Sequence, residues 1–380
     1  GVQTCALPIS VALVTGFLGS GKTTLLNRLL HDPAMRATAV VINEFGDVPL
    51  DQHFVDTTDG EIVVMANGCL CCSVQDDIEG VIGRLFARRD QGPVPAFERM
   101  LIETSGLADP APIMQMLLNQ PLVMDNFRLD SVVTLVDAVN GSRQIAENEE
   151  AFKQVVLADR LVLSKTDLAS EAVVAALRRE LSAINPGAQQ LVAIQGNLSP
   201  DHLFGAGRLD SVAAADRWVA LDRAARELRE REARSGEPAS HGGHGGDDPL
   251  QGGQGVRAHE AAHHHHDHHH GEHAHTRGVV CCTLEFPRAL PWRELNRWLT
   301  AFRIRHGERL LRVKGIVELE GEPWPMALHG VHHVFHPPLP LPHLRGKGLH
   351  GTRLVVITRD LGEDAIRASW QEFITKMESA

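Results

Sequence analysis

ISVALVTGFLGSGKTT, residues 9–24, decides how the rest of the chain is read. Residues 9–15 form a short, β-branched apolar run of the kind that makes a buried parallel strand. At Gly16 the composition turns small and flexible, and a helix is expected from Lys22 to about His31. The spacing Gly16-x₄-Gly21-Lys22-Thr23 is the phosphate-loop pattern, set between the strand and the helix that give it physical meaning. Its glycines let backbone N–H groups turn inward around phosphates, and the helix start adds the positive end of its dipole. Lys22 is then the group to reach the β- and γ-phosphates, and the Thr23 hydroxyl the group to ligate Mg²⁺. A fortuitous Gly-rich turn is the weaker reading, because strand and helix would both have to flank it by chance.

Further apolar runs follow at 37–42, 62–65, 100–102, 131–136, 160–163 and 190–194, most of them separated by helical or loop segments. Strands alternating with helices predict an α/β fold, a doubly wound and mostly parallel sheet with its site at the carboxyl ends of the strands. Two strand ends carry chemistry. Glu103-Thr104-Ser105-Gly106 follows the 100–102 run, where a phosphate-loop protein holds its magnesium shell and senses the γ-phosphate; a surface acid is the bland alternative. Leu107 stands where a water-orienting glutamine would be, so hydrolysis is expected to be slow. Ser164-Lys165-Thr166-Asp167 resembles the guanine-reading N-K-x-D pattern with Ser for Asn. Asp167 can accept hydrogen bonds from the guanine N1–H and exocyclic amine, which adenine does not offer, and Lys165 can lay its stem along the base. GTP is favoured over ATP.

Half of the six cysteines fall in Gly68-Cys69-Leu70-Cys71-Cys72. Disulfides between such close neighbours are strained, whereas three thiolates can converge on a borderline cation such as Zn²⁺. Cys69, Cys71 and Cys72 leave a tetrahedral shell one ligand short. Glu44, in Asn43-Glu44-Phe45-Gly46 at the end of the 37–42 run, is the candidate oxygen donor. Buried structural cysteine is the alternative reading. Residues 241–275 hold 12 of the 22 histidines, His263, His264, His265 and His266 among them. On a flexible tether these imidazoles would collect metal ions weakly and exchangeably. His329, His332, His333 and His336 alternate along an expected strand and read as structural.

The formal net charge of −11 and pI near 6.0 argue against a nucleic-acid-binding face. No run of ~18 apolar residues predicts a membrane span, and no secretory signal is expected. Unpaired cysteines beside a nucleotide loop point to the cytoplasm. Four regions are expected: a non-native or disordered start at 1–8; a nucleotide domain at 9–204; a helical, then His-rich linker at 205–277; and an α+β domain at 278–380. In the last, strands are expected at 279–286, 309–320, 324–335 and 352–358, with helices at 291–302 and 362–376.

In this order, the phosphate loop, Asn43–Gly46, Gly68–Cys72, Glu103–Gly106 and Ser164–Asp167 resemble the CobW-like GTPases, metallochaperone relatives of the urease and hydrogenase maturation GTPases. Residues 309–315, 329–335 and 354–361 resemble the CobW C-terminal domain. The resemblance implies GTP hydrolysis coupled to binding Zn²⁺, or Co²⁺, and delivering it to a client metalloprotein. It implies that Gly16, Gly19, Ser20, Gly21, Lys22, Thr23 and Thr24 bind phosphate and Mg²⁺. Glu103 and Gly106 would sense the γ-phosphate, Ser164, Lys165 and Asp167 would hold guanine, and the cysteine trio would hold the metal. Ser164 and Pro49 depart from the usual pattern. A metal store built on the His-rich segment, a cobalt-handling protein of cobalamin synthesis and a small-molecule kinase are the competing readings. A homodimer is a candidate assembly.

Overall fold

Alternation along the strands builds the first domain. Strand β1 (Ile9–Gly16) places Val11 and Leu13 in one buried cluster and Ala12 and Val14 in another, one on each face of the sheet. Strands β2 (Thr38–Ile42) and β6 (Arg99–Glu103) divide their residues the same way, with Val41 and Ile102 on the Leu13 side and Val40 and Leu101 on the Val14 side. Both faces must therefore be covered by helices. Helices α2 (Ile78–Gln91) and α3 (Ala111–Asn119) cover one, and α1 (Lys22–Leu30) the other. The structure, a computed structural model, describes residues 8–42, 54–58, 62–65, 70–73, 78–91, 96–120, 123, 126–204, 278–346 and 351–379.

The remaining elements of this domain are β3 (Phe54–Thr58), β4 (Ile62–Met65), β5 (Leu70–Ser73), β7 (Phe127–Asp137), β8 (Arg160–Ser164) and β9 (Gln189–Ala193). Helices α4 (Gly141–Glu147), α5 (Glu149–Leu157) and α6 (Glu171–Ile184) lie among them in sequence. Among the described residues the sheet runs β3-β4-β5-β2-β6-β1-β7-β8-β9. From β5 to β9 every pairing is parallel, while β4 and β3 add antiparallel strands at one edge. This is the expected doubly wound α/β fold. The chain fills the β6 side of β1 first and then crosses to β7 on its other side, which leaves a crevice beyond the carboxyl end of β1.

Cys71 and Cys72 lie in β5, a strand that no apolar run announced, paired in register with Val40 and Val41 of β2. Four residues with no clear alternation carry too little periodic signal to announce a strand, and the pairing with β2 supplies what the local sequence lacks.

The second sheet is antiparallel, in the order β10-β15-β11-β12-β13 with β14 against β12. Its strands are β10 (Val279–Phe286), β11 (Leu310–Val317), β12 (Met326–Val331), β13 (Val334–Phe335), β14 (Leu339–Pro340) and β15 (Thr352–Arg359). The single strand expected at 324–335 is a hairpin, turned at His332, whose φ is 52°. Helix α7 (Trp292–His306) outruns its expected end at 302, and α8 (Glu363–Glu378) closes the chain. Both pack on one face through Trp298, Phe302, Trp370 and Phe373. The opposite face carries Leu311, Val355 and Ile357 into a cluster with Phe152, Val155 and Val156 of α5.

Charge crosses the same seam. Asp159, just after α5, meets Arg312 Nη2 and Lys314 Nζ, each at 2.5 Å. Burial pushes the Asp159 carboxyl up, but the two cations outweigh it and hold it at about 2. Burial draws the Lys314 ammonium below its ordinary value, against the pull of Asp159. His329, opposite Lys314 in register, is half-buried and held neutral, its pKa pushed well down by desolvation and then by the Lys314 charge.

Candidate functional site

The phosphate loop leaves β1 at Gly16, where no side chain fits. A Cβ there would lie 2.5 Å from the Leu135 carbonyl oxygen and 2.7 Å from Ser20 Oγ. Gly19 and Gly21 take positive φ values of 72° and 95°, turning the loop into α1. Lys22 is 5% exposed, and its Nζ donates to the Gly16 carbonyl at 2.8 Å and the Phe17 carbonyl at 3.4 Å. A buried ammonium held by loop carbonyls is poised for phosphate oxygens. Ser20 Oγ is buried with no hydrogen-bond partner among the described residues, as a loop shaped for an absent acceptor or donor leaves it. Thr23 is half-buried and Thr24 exposed at the first turn of α1.

Glu103 ends β6 next to that loop and is 1% exposed. Its Cα pairs with Val14 on one side and Ile42 on the other. Thr104 fastens the strand end to β1, donating its N–H to the Val14 carbonyl at 3.0 Å and its hydroxyl to Thr15 Oγ1 at 2.8 Å. Gly106 then passes so close to the phosphate loop that a Cβ would meet Leu18 within 2.7–3.0 Å. The Glu103 carboxylate, the Thr23 hydroxyl and the Ser20 hydroxyl fit a nucleoside phosphate with Mg²⁺.

At the end of β8, Ser164 Oγ donates to the Ser20 carbonyl at 2.7 Å. The serine that stands for asparagine thus ties the turn after β8 to the phosphate loop. Lys165 adopts a left-handed conformation with φ 55°, and its Nζ meets Asp137 Oδ2 at 2.8 Å. Asp137 also accepts from Val139 N–H, Asn140 N–H and Asn140 Nδ2. Burial raises the Asp137 pKa, but Lys165, Asn140 and the two N–H groups together bring it below its ordinary value. Asp167 sits in the short 3₁₀ turn Thr166–Leu168 and is exposed, free to face a base.

Several participants escaped the sequence reading. Asp137 anchors Lys165, and Gln144 Nε2 donates to the Leu18 carbonyl at 3.2 Å. A loop after β9 places Gln195 and Gly196 at positive φ beside Thr24. The available signals were positional: an acid at the carboxyl end of β7, and a glycine two residues after an apolar run.

For the metal, Cys71 and Cys72 lie in β5, while Glu44, Cys69, His263, His264, His265 and His266 fall outside the described residues. Among the described residues no three His, Cys, Asp or Glu side chains group to hold a metal ion. The register nevertheless places the cysteine strand near the nucleotide. Ser73 pairs with Ile42, Ile42 with Glu103, and Glu103 with Val14, in one row across β5, β2, β6 and β1. At about 4.8 Å per strand, Cys72 is on the order of 10 Å from the Glu103 position.

Comparison with known proteins agrees with this layout. Residues 10–192 match the family model "CobW/HypB/UreG, nucleotide-binding domain", and residues 279–374 match the "Cobalamin synthesis protein cobW C-terminal domain". The chain is 39% identical over 197 residues to the zinc chaperone YjiA of Escherichia coli, covering 52% of this chain and 61% of that protein. To the zinc chaperone CobW of Pseudomonas aeruginosa it is 33% identical, covering 52% and 60%. To the zinc-regulated GTPase metalloprotein activator 1 of Schizosaccharomyces pombe it is 32% identical, covering 50% and 47%. The chain thus matches about half to three fifths of the length of these curated relatives. The crystal structure of Zn(II)-bound YjiA GTPase from E. coli superposes with a TM-score of 0.68 at 26% identity, covering 97% of this chain and 99% of that one. A Zn(II)-bound YjiA variant with one glutamate and two cysteines replaced by alanine superposes equally well. No helix among the described residues is long and apolar enough to cross a membrane. With both models matched in order and the nucleotide motifs assembled around one crevice, the chain belongs to the CobW/HypB/UreG nucleotide-binding family and carries a CobW-type C-terminal domain.

Proposed function

We propose that this protein binds GTP with Mg²⁺, hydrolyses it slowly, and couples that cycle to holding a Zn²⁺ ion for delivery to a client metalloprotein. One observation carries the reading: the row of register that joins the Cys71-Cys72 strand, through β2, to Glu103 and the phosphate loop. A change in how Glu103 meets a γ-phosphate is then two strands from the cysteines. When bound, Mg²⁺ would neutralise developing phosphate charge from Thr23 and the shell that Glu103 supports. Lys22 would bind the β- and γ-phosphates, and Asp167 would select guanine. Cys69, Cys71, Cys72 and Glu44 are the proposed cargo ligands, with the 263–266 histidines as a collecting tether. The names of the relatives favour zinc over cobalt as cargo. The YjiA variant supports the ligand types, a glutamate and cysteines, and also shows that in that relative zinc binds without them.

Hydrolysis is tested by incubating the full chain with GTP or ATP and measuring inorganic phosphate. The expected result is slow phosphate release from GTP, little from ATP, and no phosphorylated small molecule. Lys22→Ala should lower the rate about 10²-fold or more, the usual cost of removing one phosphate-stabilising group. Equal turnover of GTP and ATP, or a rate unchanged by Lys22→Ala, would contradict the assignment.

A further inference from the structure

A glutamine is an odd residue for the middle of α5. Ala151, Phe152, Val155, Val156 and Leu157 around it are all buried, and Gln154 itself is 1% exposed. Its carboxamide explains its presence. Nε2 donates to the Gly106 carbonyl at 3.2 Å and to the Ala108 carbonyl at 3.0 Å. Oε1 has no hydrogen-bond partner among the described residues, so the side chain acts only as a two-pronged donor. One residue earlier, Lys153 Nζ meets Asp109 Oδ2 at 2.9 Å. Two consecutive residues of α5 therefore grip Gly106, Ala108 and Asp109, the segment that runs from Glu103 past the phosphate loop. Because Gly106 packs against Leu18 with no room for a Cβ, the conformation gripped is one in which the Gly106 backbone stands against the phosphate loop.

The carboxyl end of the same helix is completed by residues from outside it. The Gln154 carbonyl accepts from Thr134 Oγ1, and the Val155, Val156 and Ala158 carbonyls accept from Asn185 Nδ2. The Leu157 carbonyl accepts from Arg312, which belongs to the second sheet. A buried helix end needs all of these acceptors satisfied, so the C-terminal domain supplies part of the cap. That domain also holds Asp159 through Arg312 and Lys314, and Glu149 at the start of α5 through Arg359 at 2.5 Å. Both ends of α5 are fastened to the C-terminal domain, and its middle is fastened to the segment after Glu103.

We propose that Gln154 is a positioning residue for the γ-phosphate-sensing segment, and that through α5 it links that segment to the docking of the C-terminal domain. The inference rests on the nucleotide-site reading above and adds to it a route by which a partner bound to the C-terminal domain would alter nucleotide preference. A GDP-bound site has no γ-phosphate for Gly106 to meet, so loosening Gln154 should penalise GTP selectively. The link is reciprocal, because a coupling free energy acts equally in both directions.

The test is a fluorescence titration of the full chain with mant-GDP and with a non-hydrolysable mant-GTP analogue, in excess Mg²⁺. In Gln154→Ala and in the size-matched Gln154→Leu, affinity for the GTP analogue is expected to fall about tenfold, while GDP affinity changes less than about twofold. Gln154→Leu keeps the core filled, so the readout survives if the alanine variant does not fold. Arg359→Ala should lower the same ratio, and combining it with Gln154→Leu should give less than the sum of the two effects. Equal losses for both nucleotides would reduce Gln154 to a packing role, and strictly additive effects would remove the link to the C-terminal domain. Failure of the unaltered chain to bind either nucleotide would instead sink the nucleotide-site reading itself.

Discussion

In the proposed site the choice of base would rest on one carboxylate, Asp167, in an exposed turn. Two oxygens facing guanine N1–H and its amine make charge-assisted hydrogen bonds of about 1.5–3 kcal/mol each. Asp167→Asn presents one acceptor and one donor, which matches xanthine rather than guanine. The variant should bind GTP about 10²-fold more weakly and gain affinity for xanthosine triphosphate; nucleotide competition measures both, and an unchanged GTP affinity would remove Asp167 from the base site. The site residues proposed from sequence alone are those whose expected role is local. Gly16, Lys22 and Thr23 would work through the backbone shape of their own loop, and Glu103 and Asp167 through their places at strand ends. Asp137 and Gln154 act on partners 28 and 48 positions away, Lys165 and Gly106. No short spacing encodes such pairs. Ser164 was legible as a departure, but its bond to the Ser20 carbonyl was not.

The elements divide along the same line. Long runs such as β7 and the α1 and α8 helices carry enough periodicity to be read directly. Strands β3 and β5, with five and four residues, form because a neighbour pairs with them. Helix α5 lies in the stretch between the 131–136 and 160–163 runs, and nothing in its sequence marks it as the element on which three parts of the protein meet. Asp159 at its end is the sharpest probe. Its carboxyl, ordinarily near 3.8, is held at about 2 in the fold. The folded value lies below the unfolded one, so the stability it contributes is complete above pH 3.8 and drains away as pH falls toward 2. That contribution is about 2 kcal/mol. Asp159→Asn removes the carboxylate from between two buried cations and should cost about 3–5 kcal/mol at neutral pH. Chemical denaturation at a series of pH values should show this gap narrowing below pH 4, and a gap that is absent at neutral pH would mean that Asp159 does not hold the seam.

Across the whole molecule, the two sheets are joined by two apolar clusters that draw residues from both and by one buried charge group. The order of the two domains was readable from the sequence, whereas the way they dock was not, since Arg312 and Lys314 read locally as charges on a strand. Docking of this kind gives the two domains a physical route by which each can respond to the other, which a store of metal ions does not require. In the proposed cycle, nucleotide state governs the cargo metal. Zn²⁺ affinity of the full chain, measured by chelator competition with Mg²⁺ and either GDP or a non-hydrolysable GTP analogue, tests it most directly. The account predicts one site that is about tenfold tighter with the GTP analogue and is lost in Cys71→Ser/Cys72→Ser; equal Zn²⁺ affinity in the two nucleotide states would contradict it.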